Sequence, residues 1–239
     1  ILHGKIEEAK KVVAKHLGDD IDLEPTIRGI TSRKSSSKAK LSALFRKGQI
    51  KHTAFAAITW GVNVLPLYAL LSFVPIILSA LGIVDENTFY TLLLNGLYLL
   101  AGIIVLFIVD RFPRKTVTVW GMIVAIIPLL ILGFWISAPA GVIVACFGIH
   151  VFGNQAFGTI TAYIYPTESF PTELRTTGIG FCSAVSRIFA CFGTFAMPII
   201  ITSFGIHVAL IGIAVVVIIG LIVTLAWAPE TGNKSIDEV

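Results

Sequence analysis

GVIVACFGIHVFGNQAFGTITAYIYPTESFPTELR, residues 141–175, carries two messages in one stretch. From Gly141 to Tyr165 it holds no Asp, Glu, Lys or Arg, and then Glu168, Glu173 and Arg175 follow around two prolines. A charge-free run of that length can cross a hydrocarbon core, which needs roughly 20 residues of helix. Working outward, five further apolar runs repeat the pattern. The spacing predicts spans over 54–82, 88–109, 116–136, 141–165, 176–202 and 206–228, joined by short connections, so that successive helices run antiparallel. The expected fold is an all-α integral membrane body of six transmembrane helices over 53–228.

Composition selects the same solvent. Hydrophobic residues make up 56% of the chain, charged residues 13%, and the mean hydropathy is +0.89. Soluble domains carry about 25% charged residues, so much of this surface faces lipid. A pI of 9.0 does not mark a nucleic-acid binder here, because the apolar runs exclude a soluble basic domain. Cys146, Cys182 and Cys191 are odd in number and lie inside apolar runs, which argues against a disulfide framework and a metal site. The chain opens at Ile1 with no signal-peptide pattern, and a preceding segment is expected.

Charge is unevenly placed. Twelve of the 18 Lys and Arg precede Thr53, and residues 1–52 read as a cytoplasmic linker. Within it Ala9, Val12, Val13, His16 and Leu17 recur at helical spacing, with Glu7 and Glu8 early and Lys10, Lys11 and Lys15 later, an order that suits the helix dipole. TSRKSSSKAK, 31–40, is too polar to pack. Leu41, Leu44 and Phe45 among Arg46, Lys47 and Lys51 suggest a short basic helix on the membrane surface. Three inter-span loops, at Asp85-Glu86, 137–140 and 204–207, contain no Lys or Arg. The other side collects Arg46, Lys47, Lys51, Arg111, Arg114, Lys115, Arg175 and Lys234. The positive-inside rule then places both ends, including the tail 229–239, in the cytoplasm of a multi-pass cell-membrane protein.

Polar groups inside a span are costly and turn toward a bundle interior or a cavity. Arg187 stands midway along the fifth span, about 17 Å deep at the helical rise, where a guanidinium costs about 3 kcal/mol. No carboxylate lies mid-span, so its expected partner is water, an acid outside this chain or an anionic ligand. The alternative is a bond to backbone carbonyls at a helix break. His150, Asn154, Gly158, Thr161 and Tyr165 share one helical face of the fourth span, with Gln155 beside them. Such a stripe either lines a polar cavity or bonds neighbouring helices, at under about 2 kcal/mol per contact. In the first span Trp60, Asn63 and Tyr68 accompany Gly61, Pro66 and Pro75, and prolines let a membrane helix bend beside a cavity. Gly178, Gly180, Ser183 and Ala184 read as close helix packing.

Two loops hold acids among their bases. Asp110-Arg111-Phe112-Pro113-Arg114-Lys115 joins the second and third spans, and 165–175 joins the fourth and fifth. The positive-inside rule explains the bases but not Asp110, Glu168 and Glu173. Ion pairs such as Glu168 with Arg175 would lock helix ends together. These residues carry a resemblance to the major facilitator superfamily. Asp110 to Lys115 resembles its D-R-x-G-R-R loop, and 166–175 its P-E-x-F/Y-P-T-x-x-R signature. PETGNKS, 229–235, is similar to its P-E-T-K-G-K-S tail. The departures are Pro113 where glycine is usual and a missing Lys before Gly232.

The resemblance implies the second half of a twelve-helix secondary transporter, with 1–52 as the linker between halves. Trp60, Asn63, Tyr68, His150, Asn154, Gln155 and Arg187 would then contribute to a substrate site at the midplane. Asp110, Arg111, Arg114, Lys115, Glu168, Glu173 and Arg175 would form a cytoplasmic gate. Gly61, Asn63 and Tyr68 are similar to the G-x-N-x-x-x-Y-Y stretch of sugar porters, although Leu67 departs from it. Trp60, Tyr68, Phe73-Val74-Pro75 and 176–188 (TTGIGFCSAVSRI) are similar to metabolite and organic-ion symporters. The expected partners are an organic anion or metabolite before a sugar, a proton as coupling ion, membrane lipid, and an N-terminal six-helix half or a second copy. The proton-carrying acid is expected in that other half. No nucleophile–base pair, metal-ligand cluster or phosphate-binding glycine loop is found, so neither an enzyme nor a cofactor is expected. A non-transporting membrane interaction protein is the remaining reading, and it gives no reason to bury Arg187.

Overall fold

The computed structural model describes residues 41–80, 87–109, 111–135 and 137–228. The readings made for residues 1–40, the 85–86 loop, Asp110 and the tail from 229 lie outside these. From Leu44 onward the described chain forms one compact unit, and the described residues contain helices and no strand.

After a 3-10 turn at Leu41–Phe45, the helices are α1 (Gln49–Leu71), α2 (Val74–Ala80), α3 (Asn87–Val109) and α4 (Arg114–Phe134). They continue with α5 (Ala140–Thr159), α6 (Tyr165–Ser169), α7 (Arg175–Phe204) and α8 (Ile206–Trp227). A π-helical turn at Ile160–Ile164 joins α5 to α6. Six helices are long and apolar enough to cross a membrane, counting Ala140–Ser169 as one.

Proline chemistry sets the two departures from regular helix. The single span expected over 54–82 is in fact two pieces. Pro75 has no N–H and its ring crowds the carbonyl four residues back, so the chain turns at Ser72–Phe73 and restarts as α2. Pro166 makes the same demand on Ala162. There the helix widens instead, with the Tyr165 N–H reaching back to the Ile160 carbonyl.

Contacts at the helix ends fix the threading. Lys115 Nζ donates to the Leu225 carbonyl at 3.1 Å, so α4 starts where α8 ends. His207 Nδ1 lies 2.8 Å from the Leu132 carbonyl, so α8 starts where α4 ends. The core divides along the bundle. Leu78, Leu94, Leu129, Phe147 and Leu210 fill one part, and Phe55, Val117, Ile160 and Tyr165 another.

Glycines set the closest approaches. A Cβ on Gly153 of α5 would stand 2.5 Å from the Ala125 nitrogen of α4, and one on Gly121 would stand 2.8 Å from the Phe157 nitrogen. The two backbones therefore touch, as small residues permit in a membrane. Gly61 of α1 lies under the Phe189 ring of α7 in the same way. Gly178 packs under Phe170, but Gly180, expected to share that role, has nothing within 4 Å.

Candidate functional site

Arg187 sits about 18 Å along α7 from Arg175, near the middle of that helix. Its Nη1 donates to the Tyr68 hydroxyl of α1 at 2.7 Å. Its Cζ lies 5.8 Å from the Tyr68 ring centroid, within cation–π range. Both residues are exposed, Tyr68 by 39%. The partner is therefore a side chain of another helix, and not the backbone carbonyls of a helix break. Tyrosine neutralises no charge. The bond also uses one of five N–H donors, which leaves the planar fork able to take a further acceptor.

Two more tyrosines join this face, and the sequence reading passed over both. Tyr98 of α3 lies within electrostatic reach of Tyr68 and Tyr163. Tyr163, in the π-helical turn, is 70% exposed. Tyr98 thus has the Tyr68 and Tyr163 phenols as neighbours, and of the three Tyr68 is the one that holds Arg187. Such a set offers hydrogen-bond donors, acceptors and flat apolar faces, but no negative charge.

The stripe on α5 behaves differently. His150, Asn154, Thr161 and Tyr165 are all buried. His150 Nδ1 lies 2.9 Å from the Ala125 carbonyl of α4, and since a carbonyl only accepts, Nδ1 is the donor. Thr161 Oγ1 donates back to the Phe157 carbonyl at 3.0 Å. The Tyr165 ring meets Phe55 edge-on at 5.1 Å. Asn63 Nδ2 donates to the Asn154 carbonyl at 3.1 Å and packs on Gly158, where a Cβ would collide with its amide. Of the two readings of the stripe, His150 follows helix-to-helix bonding, whereas Asn154 borders a cavity with its Oδ1 buried and unpartnered among the described residues.

Beside the stripe lies a cavity of about 20 Å³ between α1, α3 and α5. It is bordered by Leu70, Tyr98, Phe147, His150 and Asn154 and is large enough for about one water. Trp60 is buried in a cluster with Val64 and Ala190. Gln155 is half-buried, with its Nε2 3.0 Å from where a Cβ on Gly102 would stand. Trp60, His150 and Asn154 thus lie behind the exposed tyrosine–arginine face rather than on it.

Among the gate residues, Arg114 Nε and Glu168 Oε1 stand 3.8 Å apart, with side chains 18% and 29% exposed. Arg114 Nη1 also donates to the Val109 carbonyl. One ion pair therefore links the α3–α4 corner to α6. The pairing suggested for Glu168 with Arg175 is not the one formed. Pro171 begins a turn that closes through the Arg175 N–H to the Pro171 carbonyl at 2.9 Å, and Arg175 enters α7 away from Glu168. Its Nε and Nη2 are buried with no hydrogen-bond partner among the described residues. Arg111 and Glu173 are exposed, Lys115 caps α8 as above, and Asp110 lies outside the described residues.

Comparison with known proteins follows the same lines. The family model described as "Sugar (and other) transporter" matches residues 1–239. The inner membrane metabolite transport protein YgcS of Escherichia coli (strain K12) is 26% identical over 233 residues, covering 95% of this chain and 49% of YgcS. The arabinose-proton symporter of Bacillus subtilis (strain 168) is 26% identical over 246 residues, covering 99% of this chain and 52% of the symporter. The chain thus spans about half the length of these curated relatives. Among solved structures, the major facilitator proton:xylose symporter XylE bound to 6-bromo-6-deoxy-D-glucose superposes with a TM-score of 0.66 at 16% identity. That match covers 99% of this chain and 52% of XylE, and at such identity it shows the fold alone.

Proposed function

We propose that this chain, which belongs to the sugar (and other) transporter family of the major facilitator superfamily, is the C-terminal six-helix half of a secondary transporter for a small organic anion. The observation that carries this reading is Arg187, exposed in the middle of a membrane helix with a neutral phenol as its only partner among the described residues. An exposed cation at that depth needs an aqueous cavity and gains from an anion entering it. A carboxylate meets the guanidinium fork through two parallel hydrogen bonds. Tyr68 sets a hydroxyl and a ring face beside that position.

In this reading an N-terminal six-helix half closes the open side of the site, and both ends of the present chain are cytoplasmic. The protein sits in the cell membrane. Substrate is held between halves that rock about it, and the proton that drives uptake is carried by an acid of the other half. The Arg114–Glu168 pair, with Asp110, Arg111, Lys115, Glu173 and Arg175 around it, holds the cytoplasmic side shut and biases the equilibrium between states.

A sugar is the second reading. It is favoured by the tyrosine cluster, whose faces and hydroxyls suit a pyranose, and by the likeness to an arabinose-proton symporter. Uptake by the full-length transporter in proteoliposomes, with labelled mono- and dicarboxylates beside labelled pentoses and hexoses, separates the two. The anion reading expects carboxylate uptake that rises with an inward proton gradient and is lost in Arg187→Gln. Sugar uptake that survives Arg187→Gln would replace it with the second reading.

A further inference from the structure

A groove of about 290 Å³ runs between α3, α4 and α5, far from the Arg187 face in its lining residues. Its walls include Phe112, Trp120, Val124, Phe152 and Ala156, and Trp120 is 62% exposed. The α4 side of the groove runs from Thr116 to Val124, eight residues or about 12 Å along the helix. One leaflet's share of a hydrocarbon core is about 15 Å. The groove therefore covers most of one leaflet's depth, and its inner end lies near the middle of α4.

Charge is confined to one end. The loop 110–115 at the surface end carries Arg111, Arg114 and Lys115 against the single acid Asp110, three bases less one acid, for a net of +2. Arg114 is engaged with Glu168. Arg111, between the groove residues Ile108 and Phe112, is exposed, and Lys115 precedes the groove residue Thr116. The α3–α4 corner is tight, because the Arg111 N–H bonds the Ile108 carbonyl at 3.0 Å. Lys115 Nζ is taken by the Leu225 carbonyl of α8, so Arg111 is the exposed base next to the groove's mouth.

An apolar slot of nearly one leaflet's depth with an exposed base only at its outer end complements a phospholipid. Its tail would fill the slot while its headgroup phosphate meets that base. We infer that this groove binds one acyl chain of an anionic phospholipid, with the phosphate at Arg111.

The test uses the full-length protein, delipidated and mixed with equimolar phosphatidylglycerol and phosphatidylcholine of the same tails, with retained lipid counted by native mass spectrometry. Phosphatidylglycerol should be kept about fivefold over phosphatidylcholine for each basic residue engaged. Arg111→Gln should remove most of that preference. Val124→Trp, which fills the slot's inner end, should reduce retention of both lipids. Equal retention of the two lipids by the unmodified protein overturns the inference, as does lipid retention that Val124→Trp leaves untouched. A photo-crosslinker at Phe112 that captures protein in place of lipid also overturns it, and would assign the groove to the other half or to a second copy.

Discussion

Helices α4 and α7 are both apolar rods, yet the molecule treats them in opposite ways. In the most apolar stretch of α4, 56% of residues are buried inside the bundle; in that of α7, 22% are. The less apolar helix is the more exposed one, the reverse of what a lipid environment alone would select. It is also the one bearing an exposed arginine at mid-height. Hydropathy places both helices in the membrane but does not say which face meets lipid and which meets water or a second body. The polar residues carry that information, and they split into two kinds. On the α4–α5 contact His150 is buried and bonded to the Ala125 carbonyl within the bundle. On the α7 face they are exposed and keep donors to spare, as Arg187 does beyond Tyr68.

This contrast can be broken at several points. The largest effect is expected in the buried contact. Gly153→Leu puts a side chain where the Ala125 backbone stands, and the α4–α5 joint cannot yield. Overpacking of this kind costs about 3 kcal/mol or more, so the variant should lose its monodisperse peak and its cooperative melt in detergent. Normal melting would mean that the two backbones are not in contact.

Next comes the exposed face. Arg187→Gln removes a charge-assisted bond worth about 1.5–3 kcal/mol, which is roughly 10- to 150-fold in substrate affinity. Its melting temperature should stay unchanged. A matching loss of stability would make Arg187 a packing residue.

His150→Ala should do the opposite, lowering stability by about 1 kcal/mol while substrate affinity holds. A large affinity change with unaltered melting would move His150 from the joint to the site.

The smallest effect is expected at the ion pair. A double-mutant cycle of Arg114→Gln and Glu168→Gln should give a coupling of about 0.5–1 kcal/mol, because both side chains are partly exposed. Turnover should shift while substrate affinity does not. Additive single effects would show that the pair exerts no lock.

The sequence made five of the six spans legible to within four residues, and the first less closely (54–82 expected, Gln49–Leu71 found), because 18 or more apolar residues have few other uses in a protein. It did not reveal the break at Ser72–Phe73, although Pro75 was in plain view. A proline in a membrane helix can bend, break or be absorbed, and Pro66 within α1 is absorbed. The site was half legible. Arg187 and Tyr68 stood out because charge and hydroxyl are dear in lipid, and they do meet.

Tyr163 was missed for a geometric reason. The stripe was projected at 3.6 residues per turn, and the π turn at Ile160–Ile164 inserts an extra residue, which rotates later side chains by about 100°. Pro166, which forces that turn, was the available signal. Tyr98 carried none, because a lone tyrosine in an apolar run reads equally as an interface anchor. His150 and Asn154 illustrate the converse. Their spacing correctly put them on one face, but spacing cannot distinguish a cavity wall from a helix contact.

The central claim is that the Arg187 face of α7 fronts water and substrate rather than lipid. Ser183 lies one turn from Arg187 on the same helix. In the full-length protein with Cys191→Ser, Ser183→Cys should react in proteoliposomes with a charged, membrane-impermeant thiol reagent, and saturating substrate should slow that reaction severalfold. Labelling that appears only after detergent strips the lipid would contradict the claim, and would place this face against the bilayer.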